Sequence, residues 1–375
     1  MVRKQLSKFD TTLTRSATKK VLLDFERMQF EHTGFYYFNL HLGNALLKLA
    51  PPNIDFSFYV VPEQFGMFGS GVQYSSKETF HRKPRFLFDL LNRDKSKFDI
   101  IHISDQHSHF TPKDSNATII LTIHDLNYLI ESPNAKALAE EHKKHQQMVD
   151  MADHIVCISQ FSKRTVLDHL DVKGKPVDVI YQGCSIEEFD AVDLPRYVPD
   201  APFLFAISNL LPKKNFHVLA PLLKNNNYKL VISGINHHTD QREYARKIME
   251  HAALQGVADR VIITGPVSNH ERQWYYKNCL AFMFPSLAEG FGFPPLEAMY
   301  FGKPVFASNL TSVPEVCGEA AYYFKSFEPD DMIRTFEEGM HHFETVKPIK
   351  KLKDQYEFFN WDKTAKEYID IYKKY

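Results

Sequence analysis

Between residues 289 and 297 the chain reads EGFGFPPLE, two carboxylates either side of a segment that suits neither a regular helix nor a strand. Pro294 and Pro295 lack amide donors and bias the residue before them toward extended backbone. The same prolines suit the first turn of a helix, where no amide proton is needed. LEAMYFG then supplies good helix formers and stops at Gly302. The pattern predicts Glu289 on a loop, Glu297 in the first turns of a helix, and Gly290, Phe291, Gly292 and Phe293 on the approach. Backbone amides near a helix start hold anions, and glycine lets a ligand come close. Two carboxylates around such a cradle ask for a ligand with phosphate at one place and hydroxyl groups at two others.

Other polar groups fall where apolar runs end. Lys213 and Lys214 follow FLFAIS within NLLPKKNFHVL, at a strand-to-helix turn. Adjacent lysines on a turn are ordinarily solvated charges. Beside a helix start at the edge of a cleft, two ammonium groups also suit a diphosphate. His124 closes the run TIILTI and is followed at once by Asp125. A strand-end histidine is commonly structural, but a position facing a cleft makes it a candidate for the site.

These groups need a scaffold that gathers strand ends. The runs VLLDF (21–25), FSFYVV (56–61), IIHIS (100–104), TIILTIHD (118–125), HIVCIS (154–159) and VDVIYQG (177–183) alternate with helical patterns. Apolar runs of this kind are buried on both faces of a parallel sheet with crossover helices. DAVDLPRYVPDAPF (190–203), rich in Asp and Pro, predicts a linker. The pattern then restarts with FLFAISN, YKLVISG, RVIITG, AFMFPS and PVFAS. The expected fold class is α/β, two tandem Rossmann-like domains facing across a cleft. Open parallel sheets bind ligands beyond the carboxyl ends of their strands, so the cleft is the expected site.

Composition narrows the partners. A length of 375 residues allows two domains with separate cores. A formal net charge of −1 gives no electrostatic case for nucleic acid as the principal partner. Cys157, Cys184, Cys279 and Cys317 are scattered with no CxxC, which predicts reduced cytoplasmic thiols and neither a disulfide framework nor a zinc site. The opening MVRKQLSKFDTTLTRSATKK lacks an apolar signal core, so a cytoplasmic location is expected.

The segment 265–316, GPVSNHERQWYYKNCLAFMFPSLAEGFGFPPLEAMYFGKPVFASNLTSVPEV, resembles the signature half of family 4 glycosyltransferases, with Glu289 and Glu297 as the E-x7-E pair. Weaker matches run through LTIHDL (121–126), VCISQFSKRTV (156–166), VIYQG (179–183) and LPKKN (211–215). FFNWDKTAKEYIDIY (358–372) resembles the family's terminal helix. The resemblance implies the GT-B fold, with an N-terminal acceptor-side domain (1–195), a C-terminal nucleotide-sugar-binding domain (196–357) and a last helix (358–375) returning to the first domain. It implies a nucleoside-diphosphate sugar as donor, no other cofactor, and a glycan or lipid-linked acceptor. Residue by residue, it implies that Glu289 contacts the donor sugar and Glu297 the ribose hydroxyls. Gly290 to Phe293 would meet sugar and diphosphate through backbone amides. Lys214, with Lys213, would stabilise the leaving phosphate, and His124 would contact the sugar. It further implies retention of configuration by front-face attack.

Two departures stand out. Relatives often carry an arginine before the active-site lysine, whereas this chain reads ISNLLPKKN, with Asn209 and no Arg. The turn after the first strand keeps Gly34 as a donor-phosphate candidate, but Tyr36 stands where a second glycine is common. Tyr36 fits either an aromatic wall near the acceptor or a buried structural role. No DxD follows a strand, so a metal-independent reaction is expected. The wording SLAEGFGFPPLEAM followed by NLTSVPEV is most similar to mannosyltransferase-type members, with GDP-mannose as donor. A UDP-hexose transferase, a non-catalytic nucleotide-sugar-binding module and an epimerase of the same fold remain alternatives. HRKPRFLFDLLNRDKSKF (81–98) mixes basic and apolar residues, which suits either peripheral contact with an anionic membrane or inward packing of an apolar side.

Overall fold

The apolar runs named above become strands: those inside the sheets have Val, Ile, Leu and Phe side chains covered on both faces, while VDV and VIITG, at sheet edges, are only partly buried. A computed structural model describes residues 18–31, 33–76, 98–110, 116–190, 194–235 and 238–375. The first sheet contains β1 (Lys19–Asp24), β2 (Ile54–Tyr59), β3 (Gln73–Ser75), β4 (Ile100–Ile103), β5 (Thr118–Ile123), β6 (His154–Cys157) and β7 (Val177–Val179). Its order is β3-β2-β1-β4-β5-β6-β7, and every pairing is parallel. The second sheet contains β8 (Phe203–Ile207), β9 (Lys229–Ser233), β10 (Val261–Gly265), β11 (Ala281–Phe284), β12 (Val305–Ser308) and β13 (Ala321–Phe324). Its order is β10-β9-β8-β11-β12-β13, again all parallel. This is the expected doubled α/β architecture.

Two strands escaped the sequence reading. β3 and β13 are three- and four-residue edge strands, QYS and AYYF, too short to show a buried run. Between β7 and β8, residues 180–190 and 194–202 carry no helix or strand. The linker is nonetheless tied down: Tyr275 donates to the Tyr197 carbonyl at 2.7 Å, and Arg196 pairs with Glu271.

Strand order reverses between β1 and β4 in the first sheet, and between β8 and β11 in the second. Loops leaving neighbouring strands in opposite directions open a crevice at such a point. The second crevice receives the loops after β8 and β11, which carry Lys213, Lys214 and Glu289. Topology thus brings together Lys214 and Glu289, which lie 75 residues apart.

The helices bearing on this region are α1 (Gly34–Lys48), α2 (Tyr128–Glu131), α3 (Ala135–Met151), α4 (Gln160–His169), α5 (Thr239–Leu254), α6 (Asn269–Asn278), α7 (Phe293–Tyr300), α8 (Val313–Cys317), α9 (Pro329–Val346), α10 (Ile349–Phe358) and α11 (Trp361–Lys374). α1 starts at Thr33, whose hydroxyl accepts from the Tyr36 amide at 3.3 Å. α11 packs back on the first domain, as the terminal resemblance implied. Trp361, Tyr368 and Tyr372 are buried in the core beneath α1. Tyr372 Oη lies 2.7 Å from His102 Nδ1, His102 Nε2 lies 2.8 Å from Thr122 Oγ1, and Thr122 Oγ1 lies 2.8 Å from Tyr368 Oη. That buried relay pins the last helix to β4 and β5, and burial pushes the His102 pKa down to about 3.

All four cysteines are free and buried. Among the described residues no helix is long and apolar enough to cross a membrane. Of the basic and apolar stretch 81–98, residues 81–97 lie outside the described residues.

Candidate active site

α7 begins where the two prolines permit. Gly292, at φ +114°, is its N-cap, and prolines occupy the first turn. The helix ends at Tyr300, with Gly302 at φ +69° just beyond. Glu289 stands on the preceding loop and Glu297 on the helix, as the sequence predicted.

Three contacts hold Glu289 in place. Its amide donates to Thr311 Oγ1 at 3.1 Å, and the Ser312 hydroxyl reaches its carbonyl oxygen at 2.9 Å. Thr311 adopts φ 55°, a conformation a β-branched residue rarely takes, to present that hydroxyl. The side chain then meets its counter-charge: Lys214 Nζ donates to Glu289 Oε1 at 2.6 Å. The two side chains are only 11% and 12% exposed, so the pair works in a partly desolvated setting. Pro212–Lys214 form a 3-10 turn, and Asn215 follows at φ 57°. The Leu287 amide donates to the Lys213 carbonyl at 2.7 Å, which locks the two loops to each other.

Lys213 points elsewhere. Its ammonium lies 2.5 Å from Glu131 Oε1, on α2 of the facing domain. Burial works against the charge on Lys213, but hydrogen bonding and attraction from Glu131 prevail, so its pKa is raised. Glu297 is 3.6 Å from Arg272 on α6, a residue the sequence reading missed. A single arginine inside a helical pattern carries no signal until folding sets it opposite a carboxylate.

The residues between the glutamates divide by what their side chains do. Phe291 is buried, its ring 5.3 Å from that of Phe359, so it has only backbone to offer a ligand. Phe293 is partly buried and packs against the cores of both domains. Gly290 approaches the other domain: a Cβ built on it would stand 2.5 Å from the His124 carbonyl oxygen and 2.9 Å from Asp125 Cβ. Ser159 Oγ donates to the Gly290 carbonyl at 3.0 Å. Glu315, on α8, accepts from the amides of Gln160 and Phe161 at 2.5 and 3.0 Å and caps α4 from across the cleft.

His124 is buried at the end of β5, its ring edge-on to Phe35 and Phe38 at 4.9 and 4.7 Å. Nε2 lies 2.9 Å from the Ser104 carbonyl oxygen and Nδ1 lies 3.2 Å from Gln182 Nε2. Burial holds its pKa below the usual histidine value. Both ring nitrogens therefore have partners within the protein. Gly34 is the first residue of α1, and a Cβ there would meet nothing within 4 Å, so no steric reason requires glycine. Tyr36 is half-buried and meets Tyr37 edge-on at 5.4 Å.

The first crevice adds groups that the sequence did not single out. Asp24 ends β1 fully buried, bonded to the Ser108 hydroxyl, and burial pushes its pKa up to about 7. Nearby Asp105 lies 3.3 Å from Arg27 Nε and 3.0 Å from His107 Nδ1. The Arg27 guanidinium sits 4.6 Å from the Phe30 ring centre. Carboxylate, guanidinium and aromatic groups thus gather at the strand ends of the first crevice.

Residues 195–351 match a family model described as "Glycosyl transferases group 1", and residues 63–188 match one described as "Glycosyltransferase Family 4". The chain belongs to the family 4 glycosyltransferases. Within the family it is 30% identical over 207 residues to the serotype-specific mannosyltransferase WbdA of Escherichia coli, covering 51% of this chain and 25% of that protein. It spans about a quarter of the length of the first curated relatives it matches. The O-antigen chain mannosyltransferase B of Escherichia coli is 23% identical over 68% of this chain and 70% of its own.

Solved structures share the family's fold. Sucrose-phosphate synthase of Thermosynechococcus elongatus superposes with a TM-score of 0.71 at 17% identity, covering 95% of this chain and 98% of that one. The lipopolysaccharide outer core galactosyltransferase WaaB gives 0.65 at 20% identity, covering 95% and 100%.

Proposed function

We propose that this chain is a metal-independent, retaining hexosyltransferase. It would move mannose from GDP-mannose to a glycan or lipid-linked acceptor in surface polysaccharide synthesis. The observation that carries the reading is the contact between Lys214 and Glu289, 2.6 Å, at the crevice where strand order reverses. A cation and a carboxylate held there can serve the two halves of a sugar phosphate, the ammonium taking phosphate oxygens and the carboxylate accepting from sugar hydroxyls. Such charge-assisted hydrogen bonds contribute about 1.5–3 kcal/mol each.

The chemistry follows from the leaving group. The bond from C1 of the sugar to the outer phosphate oxygen breaks, and its electron pair stays with the phosphate. The acceptor oxygen bonds to C1 from the same face, and its proton passes to a departing phosphate oxygen. Negative charge grows on the phosphate during this step, so a fixed ammonium lowers the barrier more than it strengthens binding. Lys214 would take that task, its ammonium being held at the crevice beside Glu289. Glu297, 3.6 Å from Arg272, would take the ribose diol. The backbone of 290–293 would line the diphosphate at the start of α7. Mannose is favoured because the relatives WbdA and O-antigen chain mannosyltransferase B are named mannosyltransferases.

A thermal-shift screen of GDP-, UDP- and ADP-sugars tests the donor, since a ligand that binds only the folded chain raises its melting temperature. GDP-mannose should give the largest shift and should be consumed with acceptor in excess EDTA. A larger shift with a UDP-hexose would replace mannose, and loss of turnover restored by magnesium or manganese would end the metal-independent reading.

A further inference from the structure

Gln182 lies on the segment that carries the chain from β7 out of the first domain, and it is buried to 2% exposure. Its amide Nε2 is 3.2 Å from His124 Nδ1. Its carbonyl Oε1 is buried without a hydrogen-bond partner among the described residues. A buried amide that leaves its oxygen unpaired is a poor device for stabilising a fold, because nothing offsets the desolvation of that oxygen. The one side-chain bond Gln182 makes among the described residues goes to His124.

The chemistry of the ring fixes the rest. The Ser104 carbonyl can only accept, so His124 Nε2 carries the proton at that 2.9 Å contact. Burial keeps the imidazole neutral, so Nδ1 is a bare acceptor. The groups facing it are Asp105 and His107 from the loop after β4, Asp125 from its own loop, and His102 on β4. None of them hydrogen-bonds either ring nitrogen. The amide N–H of Gln182 therefore completes one tautomer in one orientation.

His124 in turn supports the meeting point of the domains. Its carbonyl accepts from Ser162 Oγ at 2.8 Å and faces Gly290. Gln182 itself is set by the chain's two crossings between domains, which pack on each other. The Cys184 amide donates to the Phe359 carbonyl at 2.9 Å, and Thr364 Oγ1 donates to the Tyr181 carbonyl at 2.7 Å. A Cβ on Gly183 would stand 2.4 Å from the Trp361 nitrogen.

We infer that Gln182 is a positioning residue for the transfer reaction: from the interdomain crossing it holds the His124 ring in the tautomer and orientation that the Ser104 contact selects, beside the shelf on which the Gly290 loop docks. The inference rests on the reading of the cleft as the transferase site.

Gln182→Met tests it, keeping length and burial while removing the hydrogen bond. With 15N-labelled histidine, and His124→Asn to assign the ring, the Nδ1 resonance should move toward that of a nitrogen with no hydrogen bond. Turnover should fall about tenfold while donor affinity stays within about twofold, the pattern for losing an outer partner of a working side chain. Gln182→Asn should recover part of both if its shorter amide still reaches the ring. An unmoved Nδ1 resonance, or a moved one with wild-type turnover, overturns the assignment. A wild-type chain that transfers no sugar, with the resonance still moved by Gln182→Met, sinks the transferase reading and leaves Gln182 as the partner of His124. If Gln182→Met melts well below the wild type, a fold-stabilising role replaces the one inferred.

Discussion

Gly290 and His124 meet across the cleft so closely that a methyl group on Gly290 would stand 2.5 Å from the His124 carbonyl oxygen. The glycine that opens the sequence GFG is thus required by the facing domain, whatever it also does for a ligand. Gly290→Ala should hold the domains apart, since both sides of the contact are backbone or a first side-chain atom and neither can swing away. Turnover should drop on the order of a hundredfold or more, because an ångström of misplacement is costly to a positioned reaction. Each domain keeps its own core, so the melting temperature should change little. Wild-type kinetics in Gly290→Ala would show that the contact is not needed for the reaction.

Lys214 and Lys213 are neighbours with different partners, and they should separate kinetically. Lys214→Ala should lower kcat by on the order of a hundredfold or more, with a smaller loss of donor affinity. Lys213, tied to Glu131 at 2.5 Å, should matter less. Lys213→Ala and Glu131→Ala should have similar small effects, and the double mutant should add little to either if the ion pair is their shared function. Equal losses of kcat in Lys213→Ala and Lys214→Ala would place both ammonium groups on the leaving phosphate.

Glu297→Ala should weaken binding of the free nucleoside diphosphate as much as that of the whole donor, because ribose is common to both. The expected loss is about a hundredfold or more, since a pair of charge-assisted hydrogen bonds contributes at least about 3 kcal/mol. Titration calorimetry of the mutant against GDP reads this directly. Unchanged affinity would move the ribose contact to another residue.

Asp24 makes stability depend on pH in an unusual direction. Its folded pKa is raised to about 7 by burial, above the ordinary carboxylate value of 3.8. The folded state then holds the proton more tightly than the unfolded chain, so stability contributed by this group is full below about pH 4 and declines as pH rises toward 7. Asp24→Asn removes the titration while keeping a group able to bond Ser108. Its stability should gain on that of the wild type progressively between about pH 4 and 7 and stay level above, a difference of a few kcal/mol at most, read as a rising melting temperature. A constant gap between the two melting curves across that range would put the Asp24 carboxyl back at its ordinary value.

The buried strands, the two-sheet architecture and the helix after Pro294 were readable in advance because apolar runs and prolines act locally. β3 and β13 were not, since an edge strand of three or four residues is decided by the neighbour it pairs with. Glu289, Glu297, Lys213, Lys214 and His124 could be nominated from their places at strand ends and helix starts. Their partners could not: Arg272 and Gln182 sit in ordinary helical or loop sequence, and Glu131 and Glu315 act on the opposite domain.

By itself, then, the sequence determined which segments become strands, that there are two sheets, and that the EGFGFPPLE stretch must leave a loop and enter a helix, because each depends on covalent restraint or on burial of a continuous run. Only the tertiary structure decided that Lys214 faces Glu289 while Lys213 turns to Glu131, that His124 has both nitrogens occupied, and that Gly290 is a point of contact between domains. Those facts depend on a few ångströms between groups distant along the chain, which strand order and domain packing set and no local pattern encodes.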